Sequence, residues 1–163
     1  MTIRRAEEKD FEAMRAIYNH EVRTGVATFD TEEKGAEDWV QWCLAHNRDN
    51  YPLLVAEEDG NVIGYVCLSP YRVRGAYAST AELSLYVDVA SRGRGVGKAL
   101  MRAILDEARA DTHTHAVVSV ITAGNEVSLR LHRACGFTEC GKLREVAFKH
   151  GRFLDTVTYE WRK

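Results

Sequence analysis

The run Arg92-Gly93-Arg94-Gly95-Val96-Gly97-Lys98 places three glycines, two arginines and a lysine within one short segment. Glycine lets a backbone turn tightly and approach a ligand with no Cβ in the way. Where such a turn opens a helix, the unpaired N–H groups of the first turn and the helix dipole favour an anion. With Arg92, Arg94 and Lys98 around it, the anion best suited is a pyrophosphate; a strand-to-helix turn with solvated arginines is the bland alternative. Two nucleotide motifs fail on spacing. A Walker A loop needs glycine at Arg92 and Ser or Thr at Ala99. The G-x-G-x-x-G dinucleotide fingerprint needs glycine at Lys98 and a βαβ opening around it.

The elements that must position this loop follow from periodicity. Thr2 to Arg5 reads as a short strand, and Asp10 as the N-cap of a helix carrying Phe11, Met14, Ile17, Tyr18 and Val22, ended by Gly25. A second helix carries Trp39, Trp42 or Cys43, and His46 on one stripe. Leu53 to Ala56 and Val62 to Leu68 form a hairpin across Glu58-Asp59-Gly60-Asn61. Ala81 to Val87 is a strand with Leu83, Leu85 and Val87 on one face and Glu82, Ser84 and Tyr86 on the other. The glycine turn opens a helix through Ala108, then Ala116 to Ile121 is a buried strand. Asn125 to Ala134 is a short helix stopped by Gly136. Phe137 to Glu145 and Phe148 to Trp161 are predicted as a closing pair of strands. The order is β-α-α-β-β-β-α-β-α-β-β, an α/β class with a mixed, mostly antiparallel sheet flanked by helices, read as one domain over residues 1–163.

The glycine run resembles the GNAT superfamily pattern [Q/R]-x-x-G-x-[G/A]. The likeness extends to its phosphinothricin and methionine-sulfoximine acetyltransferase branch through Thr28-Phe29, Tyr51-Pro52, Leu54-Val55-Ala56-Glu57, Ala76-Tyr77 and Glu82 with Leu85-Tyr86-Val87-Asp88. It continues in Asn125-x-x-Ser128-x-x-Leu131-His132, Gly136-Phe137, and Phe148-Lys149-His150-Gly151-Arg152 with Asp155. That resemblance implies acetyl-CoA as co-substrate, direct attack in a ternary complex, and central strands splayed into a cleft. It implies that Leu85, Tyr86 and Val87 offer backbone groups to the pantetheine arm, that Arg92 to Lys98 cradle the pyrophosphate, and that Asn125 and Ser128 meet the cofactor near its thioester.

Acetyl transfer to an amine requires removal of a proton from an amine that is mostly charged at neutral pH. Glu82 suits this: a carboxylate on a central strand is costly without a purpose, and partial burial raises its pKa. The alternative is a surface residue or an ion pair with Arg72 or Arg74. The resembled branch assigns an acidic residue here, and a histidine matching His132, to catalysis. His132 shares a helix face with Asn125 and Ser128; it relays a proton, holds the cofactor, or is a core histidine bonded to a carbonyl. Many GNAT enzymes place an acidic tyrosine after this helix, where this chain has Cys135, Gly136 and Phe137, so the general acid is unassigned.

On the acceptor side, Tyr71 to Tyr77 carries Arg72, Arg74, Gly75 and Tyr77, and an arginine fork suits the carboxylate of an amino-acid-like acceptor. Phe29 is expected against the acceptor's side chain. Alternative acceptors are a peptide N-terminus or a polyamine, and a non-catalytic acetyl-CoA sensor is a further alternative. The resemblance implies a homodimer.

Composition narrows the rest. The net charge is −2 over 163 residues, with 45% hydrophobic and 28% charged side chains, which supplies no overall positive field for nucleic acid. No signal-like opening and no stretch of membrane-spanning length is present, predicting a cytoplasmic protein without a membrane partner. The four cysteines form no CxxC pair and suggest no disulfide framework. His113 and His115 alternate but lack a third ligand, so no metal is expected.

Overall fold

The computed structural model describes residues 1–163 and contains one seven-stranded sheet, in the order β1-β2-β3-β4-β5-β7-β6. The strands are β1 (Thr2–Arg5), β2 (Leu53–Glu58), β3 (Asn61–Pro70), β4 (Thr80–Val87), β5 (Ala116–Thr122), β6 (Thr138–Lys149) and β7 (Arg152–Arg162). The helices are α1 (Phe11–Thr24), α2 (Ala36–Leu44), α3 (Val96–Ala110) and α4 (Glu126–Ala134). This is the predicted order, a mixed α/β fold whose strand pairs are antiparallel except β4–β5.

Each face of the sheet has its own core. Helix α3 buries Val96, Leu100, Met101, Ile104, Leu105 and Ala108, the stripe a helix of 3.6 residues per turn directs at one surface. They pack with Leu83 of β4, Val117 and Ile121 of β5 and Leu129 of α4. On the other face α1 and α2 bring Phe11, Met14, Ile17, Trp39 and Cys43 against Leu53, Val55, Tyr65 and Cys67.

The β4–β5 pair carries the architecture of the site. Its register is Thr80↔Ala116, Ala81↔Val117 and Glu82↔Val118, and it stops there. Beyond Val118, β5 is paired only with β7, through Thr122↔Thr156, while β4 stays with β3 up to Gly64↔Val87. The sheet therefore opens immediately past Glu82, as a splayed centre requires.

Two local expectations need correction. Asp10 is not the side-chain cap of α1. It closes a 3₁₀ turn (Glu8–Asp10), and its carboxylate accepts from the Arg4 guanidinium at 2.6 and 2.9 Å and from the Glu7 N–H at 2.8 Å. A stronger ionic partner has taken the oxygens a cap would use. The final hairpin also turns later than predicted, at His150-Gly151 rather than between Glu145 and Phe148. Both turn residues have positive φ (49° and 74°), which fits the right-handed twist of a two-residue hairpin. The break read at Glu145 is a bulge within β6, with φ 52° and its N–H donated to Asp155 Oδ1 at 2.9 Å.

Candidate active site

The glycine run forms a cradle of free donors. No backbone carbonyl accepts from the N–H groups of Gly93 through Lys98; the first such bond in α3 is Ala99 N–H to Gly95. Gly93 and Gly95 have φ of +76° and +84°, a region where a side chain is strained. A Cβ at either would meet nothing within 4 Å, so the space above the loop is open. That arrangement fits a pyrophosphate on chemical grounds.

The arginines of the run also make contacts within the protein. Arg92 Nε donates to the Val87 carbonyl at 3.1 Å, and its Nη2 lies 3.0 Å from Glu21 Oε2 on α1. Arg94 pairs with Glu58 at 2.6 Å. These guanidiniums tie the loop to α1 and β2, which leaves Lys98 as the cation of the run that neither carboxylate engages.

Strand β4 presents its open edge to the gap. Ser79 accepts from His115 and Ala116 on the β5 side, whereas Asp88 donates to Ile63 on the β3 side. Backbone groups alternate along a strand, so Leu85 and Val87 face the opening and Tyr86 faces β3. The Tyr86 ring instead packs at 5.1 and 5.4 Å from those of Tyr18 and Tyr65.

Glu82 sits on the α1–α2 face at the last paired position of β4. It is half-buried, and burial raises its pKa above the usual carboxylate value, opposed by the charge of Arg72. No ion pair holds it. Arg72 lies over the Tyr71 ring at 4.9 Å and the Tyr77 ring at 5.9 Å, and Arg74 and Gly75 are exposed in the same loop. Phe29 is 36% exposed in the α1–α2 connection.

His132 lies on the opposite face. Its partner Ser119 alternates with Val118, the register mate of Glu82, so Glu82 and His132 are on different sides of the sheet. Only 3% exposed, the ring has Nδ1 2.8 Å from the Ser128 carbonyl and Nε2 2.9 Å from Ser119 Oγ, and stacks edge-on to Phe137. A carbonyl can only accept, so Nδ1 carries the proton. Burial lowers its pKa, opposed by the Ser128 bond. Both nitrogens are engaged, and the ring locks α4 to β5. Asn125 caps α4 by accepting from Ser128 N–H at 3.2 Å, which groups Asn125, Ser128 and His132 as the spacing predicts. Burial also pushes up the pKa of Cys135, keeping it a thiol.

Two cavities flank these residues. A cleft of about 790 Å³ lies between the end of α1, Arg92, the end of β5 with Asn125, and the final hairpin. A second, of about 360 Å³, lies under α1 and α2, walled by Tyr18, Trp39, Trp42 and Tyr86 and edged by Ser69 and Ser84. Sequence reading missed this pocket and the role of Glu21; the surplus of aromatic residues in the first two helices was its one visible signal.

Residues 12–137 match the model of the acetyltransferase (GNAT) family. The chain belongs to that family. It is 38% identical to a phosphinothricin N-acetyltransferase of Alcaligenes faecalis over 96% of this chain and 79% of that protein. It is 37% identical to an L-methionine sulfoximine/L-methionine sulfone acetyltransferase of Salmonella typhimurium over 95% and 90%. Among solved structures it resembles YncA of Salmonella typhimurium with its cofactor acetyl-CoA, at a TM-score of 0.96 and 35% identity over 99% and 93%. No helix is long and apolar enough to cross a membrane, and no group of three His, Cys, Asp or Glu is placed to hold a metal.

Proposed function

We propose that this GNAT protein transfers the acetyl group of acetyl-CoA to the α-amino group of a small amino-acid analogue of the phosphinothricin, methionine sulfoximine or methionine sulfone type. The observation that carries the reading is the opening of the sheet directly past a half-buried, unpaired carboxylate, with the free-donor cradle beyond the same strand. The relatives' activities supply the acceptor class.

In this reading acetyl-CoA supplies the activated thioester. The N–H groups of Gly93 to Lys98, with Lys98, bind its pyrophosphate, and Leu85 and Val87 pair with the arm as an added strand would. Asn125 and Ser128 hold the thioester end. Glu82 takes a proton from the acceptor ammonium, and its raised pKa suits a base working near neutral pH. Arg72 and Arg74, with Gly75, Tyr77 and Phe29, receive the acceptor's carboxylate and body. His132 is a positioning residue that orients α4. The leaving thiolate departs toward solvent.

Residues 1–163 act as one cytoplasmic domain, paired in a homodimer. Exposed apolar residues at the tip of the β6–β7 hairpin support pairing: Phe148 and Phe153 are register partners with rings 5.0 Å apart, and they and Val146 are each more than half exposed.

The test is thiol release from acetyl-CoA across methionine sulfoximine, methionine sulfone, phosphinothricin, spermidine and short peptides. Turnover with the amino-acid analogues is expected, and Glu82→Gln should lower it by roughly 10²-fold or more while acetyl-CoA binding holds. Turnover with spermidine alone sinks the acceptor assignment, and none with any amine favours a sensor.

A further inference from the structure

His46, two residues past the end of α2, lies behind the aromatic pocket and touches two residues that line it, Trp42 and Ser69. Its buried ring lies against Trp42, 4.3 Å between ring centres. Nδ1 is 2.8 Å from the Trp42 carbonyl oxygen and Nε2 is 3.0 Å from Ser69 Oγ. The carbonyl only accepts, so Nδ1 carries the proton. Burial lowers the pKa of the ring, opposed by the Trp42 bond, so the imidazole is neutral and Nε2 is bare. A bare ring nitrogen accepts. The Ser69 hydroxyl must therefore donate to it, and Ser69 offers lone pairs to anything else in the pocket.

Ser69 faces Glu82 in the β3–β4 register. Directly paired residues project to the same face with Cβ atoms about 5 Å apart. Ser69 and Ser84 both edge the pocket, and Glu82 shares their face of the sheet by alternation. A carboxylate and a lone-pair-only hydroxyl thus stand side by side where β4 leaves β5.

We infer that His46 is a positioning residue for acetyl transfer: by holding the Ser69 hydroxyl proton it makes Ser69 a hydrogen-bond acceptor for the substrate's amino group, beside Glu82. The inference rests on the reading of Glu82 as the base and deepens it. Once Glu82 has taken one proton, the neutral amine keeps two N–H groups, and holding one of them on Ser69 restricts its rotation and so the directions its freed lone pair can take toward the thioester. Without His46 the hydroxyl is free to rotate and turn its own proton toward the amine.

A kinetic cycle with methionine sulfoximine under saturating acetyl-CoA tests this. Ser69→Ala and His46→Phe should each lower kcat/KM for the acceptor about tenfold, the loss of one hydrogen bond to a charged group, with KM for acetyl-CoA unchanged. In the Ser69→Ala background, His46→Phe should add no further loss. Losses that multiply toward roughly a hundredfold, or a parallel rise in KM for acetyl-CoA, make His46 a packing residue and overturn the inference. Should His46→Phe not fold, ¹⁵N shifts of the wild-type imidazole decide: an Nδ1–H tautomer is required, and an Nε2–H tautomer refutes it. Full activity in Glu82→Gln would instead sink the base assignment, an outcome separate from the serine–histidine cycle.

Discussion

Gly25→Ala exposes a link between the cofactor loop and the acceptor side. The Glu21 carboxylate lies directly over Gly25. Its Oε2 is 3.0 Å from Arg92 Nη2 and its Oε1 accepts from Ala27 N–H at 3.1 Å. A Cβ at position 25 would fall 1.6 Å from Oε1 and 2.2 Å from Cδ. The backbone there is extended, φ −116° and ψ −178°, so alanine carries no conformational cost of its own. The effect is what Glu21 gives up when it moves aside. A charge-assisted bond to Ala27 contributes about 1.5–3 kcal/mol. The Arg92 pair contributes less than about 1 kcal/mol, because the guanidinium is half exposed and screened. A loss of about 2–3 kcal/mol corresponds to a Tm lower by roughly 5–10 °C in a chain of this size. Thermal unfolding followed by circular dichroism on wild type, Gly25→Ala, Glu21→Ala and the double variant measures it. In the Glu21→Ala background the three atoms nearest the added methyl are gone, so the double variant should melt with Glu21→Ala. A Gly25→Ala protein within about 1 °C of wild type, or a double variant further destabilised by the same amount, refutes the reasoning.

Gly95→Ala should cost about 1–2 kcal/mol for a left-handed residue and raise KM for acetyl-CoA several-fold, since the methyl enters the space above the cradle; a stability loss with unchanged KM would put the phosphates elsewhere. The depressed pKa values of His46 and His132 make stability depend on pH. The unfolded chain binds these protons more readily, so stability is full above the unfolded imidazole pKa of about 6.5 and falls as pH drops toward the folded values. Melting curves from pH 8 to pH 5 should show that decline, and a flatter one in His132→Gln. Replacing Phe148 and Phe153 together by serine should shift sedimentation from dimer to monomer with little change in Tm; an unaltered sedimentation profile would exclude that face as the contact.

The elements were legible because each rests on local requirements. The α3 stripe, the glycine punctuation at Gly25 and Gly136, and the alternation along β4 are properties of short segments. The hairpin break was misplaced. The strand was expected to end at Glu145, where the structure has a bulge held by Asp155, and β6 runs on beyond it. Asp10 failed as a cap because Arg4 competes for its oxygens, and no window around α1 contains that competition in spatial form.

The sequence by itself determined that residues 92–98 form a glycine turn opening a helix, and motif order alone placed the chain among GNAT proteins. Those features depend on backbone freedom and neighbouring residue types, which sequence states directly. Only tertiary structure decided what the side chains near that turn do. Arg92 is turned to Glu21 across 71 positions, and His46 to Ser69 across 23. His132 is kept from Glu82 by strand register rather than by distance along the chain. Such contacts arise where pairing brings remote segments together, and the end of the β4–β5 pairing after Glu82 decides which face each group serves.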